Sequence, residues 1–291
     1  MSKPIHFLPI FALLSLLTLP GPVSGQALVP YTVQLNSEKL EEQGLNLAQD
    51  AIQLVRFQQF ELALPRAQLA TQLAPNRYQT WFILGSLYVQ NQELDKGIQA
   101  LQQARSLDRK EAGILFTLGS AYFQKKDYNT AISNLQEGLK LKPDVPEALF
   151  DLGNSYYMLK QYAPAITAYE KAVAQEKNFW PAINNIGLVK YEQGDVTGAI
   201  EKWRAAIAID KEAAEPQLAV AVAFYTQGEQ DRGIAMGETA IRLDNRYADL
   251  QFLKENLWGQ RLLADTKKFL DNPRIQAAIA QTQSSPSRNG E

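Results

Sequence analysis

The sequence predicts an all-α chain, an α-solenoid made by stacking one helix–turn–helix unit about six times, and three observations carry that reading. The first is a period of 34 residues: Leu84-Gly85, Leu118-Gly119, Leu152-Gly153 and Ile186-Gly187 fall at one phase, and Tyr88, Tyr122 and Tyr156 each follow a pair by three residues. The second is a pair of small-residue combs in the same register. One runs through Ala63, Gly97, Ala131, Ala165, Ala199 and Gly233, the other through Ala70, Ala104, Gly138, Ala172, Ala206 and Ala240. Small residues at a fixed phase mark places where backbones approach closely, and a period of this size marks one supersecondary unit being stacked. The third is the spacing inside a unit. Positions 4, 7, 8 and 11, for example Leu149, Leu152, Gly153 and Tyr156, are three and four apart and so share one helical face.

Taken in order, residues 1–27 carry Lys3, a 13-residue largely apolar stretch from Phe7 to Leu19, then Pro20-Gly21-Pro22 and the small residues Val23, Gly25 and Ala27. The apolar stretch is short against the roughly 20 residues of a bilayer span, and the small residues suit a cleavage site, which together describe a secretory signal. The alternative is an uncleaved membrane anchor reaching from Ile5 to Val29; both readings stand, and both connect the chain to a membrane through its N-terminal segment. Residues 28–43 form a polar lead-in, with Asn36 or Ser37 placed to cap a helix that begins near Glu38.

The repeat array spans 44–247 in six units of 34, beginning near Gly44, Tyr78, Ala112, Pro146, Trp180 and Ala214. Its outer units are degenerate: Ala51 replaces the first glycine, and the sixth unit has Val220-Ala221 and Gly237 where a Leu-Gly pair and an aromatic are expected. Gly194 and Gly228 suit the left-handed position that ends a helix. Asp127, Asp195 and Glu229 stand near the start of the second helix, where an acid favours the helix dipole. Residues 248–272 read as a capping helix, Leu250, Leu253, Leu257 and Leu262 recurring at mostly helical spacing, with Trp258-Gly259 as a packing anchor or partner contact. A short helix from Arg274 to Ala280 follows Pro273, and 281–291 is too polar to fold.

Composition narrows the chemistry. The 291 residues carry 29 basic and 31 acidic side chains, a net charge of −2 with no Lys/Arg block, which leaves nucleic acid without the concentrated positive field that phosphate binding needs. There is no cysteine, and the one histidine is His6. Thiol nucleophiles, Cys/His zinc sites and Ser-His-Asp triads all need side chains that residues 44–291 lack, so neither enzyme, metal nor cofactor is expected.

Trp81, Leu84, Gly85 and Tyr88 on a first helix, Ala165 with Tyr169 and Ala199 with Trp203 on second helices, and the late Pro75 and Pro143 resemble the tetratricopeptide repeat. The resemblance implies a right-handed superhelix whose concave face, lined by positions 2, 5, 9, 12 and 13 of each first helix, binds protein partners. At those positions stand Phe82, Phe116, Phe150 and Asn184; Ser86, Ser120 and Asn154; and Val89, Phe123, Tyr157, Tyr191 and Tyr225. Positions 5, 9 and 12 share a helix face, so the expected groove is an aromatic ladder edged with hydroxyls and amides. The Lys-rich clamp that some members use on acidic chain ends is absent. The competing reading is that these rings pack between repeats and bind nothing.

The N-terminal apolar segment, the six-unit array and the closing run from Phe252 to Gln260 further resemble the Pitt-like group of cyanobacterial and plastid tetratricopeptide proteins. That resemblance implies a membrane-associated scaffold that interacts with light-dependent protochlorophyllide oxidoreductase, a chlorophyll-synthesis enzyme, at the thylakoid membrane and aids photosystem assembly. A cleaved export signal would instead place a structural, self-associating protein in the periplasm or thylakoid lumen.

Overall fold

A computed structural model describes residues 36–284, and the segment 1–27, read above as signal or anchor, lies outside the described residues, as does the tail from 285. Fifteen α-helices and one 3₁₀ turn make up the described residues, with no strand. Twelve helices form six antiparallel hairpins. They are α1 (Ser37–Arg56) with α2 (Phe60–Leu73), α3 (Tyr78–Gln90) with α4 (Leu94–Leu107), and α5 (Ala112–Gln124) with α6 (Tyr128–Leu141). The rest are α7 (Pro146–Met158) with α8 (Tyr162–Gln175), α9 (Trp180–Glu192) with α10 (Val196–Ile209), and α11 (Ala214–Thr226) with α12 (Gln230–Leu243). The array is therefore the six-unit solenoid that the period predicts, with α1 starting at Ser37, ahead of the first unit's nominal start at Gly44.

Each hairpin closes where a small residue of the first helix meets the second helix. A Cβ added to Gly85 would lie 2.7 Å from Cγ of Leu101, one on Gly119 2.6 Å from Cγ of Leu135, and one on Gly153 2.5 Å from Cε1 of Tyr169. No side chain fits there, which is why the Leu-Gly glycine recurs. The combs are the same device seen from the second helix: Ala63, Ala131, Ala165 and Ala199, and Ala70, Ala104, Ala172, Ala206 and Ala240, are completely buried. Core packing at this density leaves no room for a larger residue.

The turn inside each hairpin repeats as strictly as the helices. Gln58, Gln92, Lys126, Lys160, Gly194 and Gly228 all have left-handed φ, between 57° and 94°. Asp127 and Asp195 cap the second helices that follow, accepting from the amides of Thr130 and Gly198. Glu229 does not cap; it pairs at 2.7 Å with Arg232. A further tie crosses between units: the side-chain amides of Gln68, Gln102 and Gln136 donate to the hydroxyls of Tyr88, Tyr122 and Tyr156 at 3.0, 3.3 and 2.7 Å.

After α12 the chain departs from the predicted single capping helix. A 3₁₀ turn (Asn245–Ala248) leads to α13 (Leu250–Glu255), and α14 (Gln260–Leu270) and α15 (Pro273–Ser284) follow. The break between α13 and α14 falls at Leu257, whose φ is +66°, and Gly259, where an added Cβ would overlap the Glu192 side chain. Asp249 starts α13 by accepting from the amides of Gln251 and Phe252. Helix α15 packs on α12 and so closes the open end of the solenoid.

Candidate functional site

Neighbouring first helices touch one another along the array (α1 with α3, α3 with α5, α5 with α7, α7 with α9), more closely than any successive second helices do. The first helices therefore line the inner, concave side, and this face is where the array divides into two parts.

Over units five and six the face is covered by the chain itself. Helix α14 lies against α9 and α11. Its N-terminal amides, those of Arg261 and Leu262, donate to the Glu192 carboxylate at 3.1 and 3.0 Å, so an acid at the end of α9 caps a helix about 70 residues further on. Tyr191 donates to Asp265 at 2.9 Å while the Arg261 guanidinium sits 5.2 Å from its ring centre. Trp258, only 3% exposed, donates its indole N–H to the buried Glu215 at 3.0 Å. Leu253, Leu262 and Phe269 are completely buried in the same core as α9 and α11. Sandwiched in this way, α11 is buried from Ala214 to Phe224, and its sequence from Leu218 to Phe224 is correspondingly apolar on every side. Burial pushes the Glu215 carboxyl up to about 7.

The predicted site residues fall accordingly. Asn154, Tyr157, Asn184 and Tyr191 are buried within the chain. Asn154 Oδ1 accepts from Tyr169 Oη at 2.8 Å and from Asn185 Nδ2 at 2.9 Å, and Asn184 donates to Asn185 Oδ1 at 3.1 Å, a network that knits units four and five together. Tyr157 Oη has no hydrogen-bond partner among the described residues, and burial raises its pKa. Tyr225 packs edge-on against Phe269 of α14, ring centres 5.4 Å apart.

The remaining six lie over units two to four, where nothing among the described residues covers the face. Phe82, Phe116, Phe123 and Phe150 are each partly buried rather than bare. Phe116 packs over Gly138, Phe123 lies 5.4 Å from the Tyr128 ring, and Phe150 lies between Tyr169 and Phe179 at 5.7 and 5.4 Å. Ser86 bonds back to its own helix at Phe82 O, 2.8 Å, and Ser120 donates to Asp151 at 2.7 Å. The aromatic ladder is thus half-buried, each ring shared between the packing of the repeats and the open face. Position 5 fills the seams between helices, and the face presents ring edges, the two serines, Asp151 and the exposed Gln90 and Gln124. Burial raises the pKa of Asp151, against the bond from Ser120.

Sequence reasoning missed Glu192, Glu215 and Asp265, whose partners lie far along the chain. It also missed the pocket at the junction of the two parts, about 400 Å³, between the end of α7 and the α13–α14 corner. The one signal available was Gly237, a position emptied for a ring supplied from elsewhere.

Residues 31–177, half of the chain, match the family model described as the cytochrome c-type biogenesis protein H TPR domain, and residues 187–228 match a TPR repeat model. The chain belongs to this tetratricopeptide-repeat family. Solved structures agree on the fold. MamA is 25% identical to this TPR chain, covering 60% of it and 95% of MamA with a TM-score of 0.52. PilF of Pseudomonas aeruginosa is 17% identical with a TM-score of 0.63, over 75% of this chain and 99% of PilF. YrrB, described as a TPR protein with an unusual peptide-binding site, is 18% identical with a TM-score of 0.51, over 69% and 97%. No curated protein matches the chain. TPR arrays act as protein-interaction scaffolds, and this one has protein partners by that membership. No helix among the described residues is long and apolar enough to cross a membrane.

Proposed function

We propose that this TPR protein is a non-catalytic scaffold that holds a partner protein along the concave face of units two to four, with Phe82, Ser86, Phe116, Ser120, Phe123 and Phe150 as contacts. One observation carries the reading: in units five and six the same face already holds a helical segment, the chain's own α14, through a mixture of apolar burial and end-on hydrogen bonds. Docking a helix in such a groove is a general recognition mode.

The finer identity rests on resemblance. The run from Phe252 to Gln260 supports a Pitt-like protein that binds and stabilises a chlorophyll-synthesis enzyme, light-dependent protochlorophyllide oxidoreductase, at thylakoid membranes, with the N-terminal segment as its membrane connection. Within that run, Leu253 and Trp258 pack in the core, which leaves Phe252, Lys254, Glu255 and Gln260 to face a partner. A second reading comes from the family match itself: a factor assembling c-type cytochromes, exported through a cleaved signal.

The test is co-purification from photosynthetic membranes. Ser86→Arg with Ser120→Arg places two long cations on the groove floor at positions that are themselves only partly buried. Loss of the oxidoreductase from the purified complex, with the melting transition preserved, supports the scaffold reading; its retention overturns it. Recovery of cytochrome assembly proteins in its place supports the second.

A further inference from the structure

The pocket at the end of the uncovered groove has a chemistry of its own. Its wall is apolar, from Met158, Tyr162, Leu257 and Leu263, with the buried Trp258 behind it, and its rim carries Lys160, Lys254 and Arg261. None of these three cations forms an ion pair among the described residues, whereas the nearby Lys190 and Lys268 are paired with Asp195 and Asp265. The only carboxylate in the lining is Glu192, and both of its oxygens are engaged by the amides of Arg261 and Leu262. Across a chain whose net charge is −2, this is a local excess of uncompensated positive charge beside an apolar wall.

We infer that this pocket binds an acidic amphipathic peptide segment of the partner, its apolar side chains against Met158, Tyr162, Leu257 and Leu263 and its carboxylates facing Lys160, Lys254 and Arg261. The inference rests on the scaffold reading above and adds the partner's chemistry. Charge complementarity selects the occupant. A basic or neutral segment would leave the three cations unanswered, and an acidic segment without apolar residues would leave the wall uncovered. The position fits as well, since a segment running along units two to four meets the α13–α14 corner and stops there.

The test uses the full chain and a fluorescein-labelled, end-blocked peptide, Glu-Leu-Glu-Leu-Leu-Glu, followed by anisotropy, with the Lys-for-Glu peptide and laurate as comparisons. Wild type should bind the acidic peptide, more weakly as salt rises, and should not bind the basic one. Lys160→Glu with Lys254→Glu should weaken binding about tenfold or more, because two attractive charges become repulsive. Both lysines are exposed, so an unchanged melting transition shows that the fold is intact. Equal binding of the two peptides, binding of laurate but not the peptide, no peptide binding, or undiminished affinity in the double variant would each overturn the inference. Partner co-purification with the Ser86→Arg, Ser120→Arg protein separates the two claims. If that protein loses the partner and the acidic peptide does not bind, the pocket fails and the scaffold stands. If it keeps the partner and the peptide binds, the scaffold reading fails and the pocket stands.

Discussion

Phe269 fills the space that a side chain at Gly237 would occupy: a Cβ built on Gly237 would overlap the tip of the Phe269 ring, which is completely buried. In units two to five the corresponding position carries Leu101, Leu135, Tyr169 and Trp203, each packed over the glycine of its own first helix. In unit six the ring arrives from α14 instead. What reads as a degenerate repeat is the socket for the segment that covers the groove.

Emptying that socket has a predictable cost. Phe269→Ala should lower unfolding stability by about 3–5 kcal/mol, the usual penalty for deleting a buried ring. Gly237→Leu alone should destabilise by expelling Phe269, yet Gly237→Leu with Phe269→Ala should lose less than the sum of the two, because the new side chain takes the vacated space. Urea unfolding of the four proteins measures the coupling; strictly additive losses would show that the two residues do not share one volume.

The hairpin turns offer the opposite sign. Gln58, Gln92, Lys126 and Lys160 hold left-handed φ that glycine adopts without strain, as Gly194 and Gly228 do in the last two hairpins. Lys126→Gly should therefore stabilise by about 0.5–1 kcal/mol, and Gly228→Ala should destabilise by about 1 kcal/mol. Thermal unfolding of each variant decides it, and a fall in Tm for Lys126→Gly would contradict the strain argument.

Most of the array was legible because its signals are periodic. The glycine of each Leu-Gly pair and the alanine combs record close approach within one hairpin, and that approach recurs every 34 residues. The turns were half legible: glycine announces left-handed φ at 194 and 228, whereas Gln and Lys at the equivalent places do not. The Gln-to-Tyr ties between units escaped notice because exposed glutamines carry no hydrophobic pattern. The site was legible only in part. Tyr191 and Tyr225 occupy groove positions of their own helices, but α14 covers them, and nothing periodic announces a helix folding back over its own array. The rings at position 5 were read as groove lining, and packing against Gly138, Tyr169 and Phe179 claims much of their surface.

Glu215 ties that covering segment to pH. Burial is the main influence on its carboxyl and holds it at about 7, against the bond from Trp258 and above the ordinary 4.5. The folded chain thus keeps a proton that the unfolded chain releases. The associated stability is fully present below about pH 4.5 and is lost as pH rises through about 7, a change on the order of 3 kcal/mol. Glu215→Gln keeps an acceptor for the indole and removes the titration. Its Tm should match wild type near pH 4.5 and exceed it at pH 8; parallel profiles across that range would count against the buried carboxyl.

A partner seated on the concave face of units two to four lies within reach of Ser86 and Ser120 and away from the outer helices. Site-specific photo-crosslinking in intact membranes tests this placement most directly, with the photoreactive residue placed at Ser86 or Ser120 on that face and at Leu69 or Leu141, exposed on the second helices. One discrete crosslinked partner is expected from Ser86 and Ser120 and none from Leu69 or Leu141. The same partner captured only from Leu69 and Leu141 would contradict the placement and move the binding surface to the outer helices.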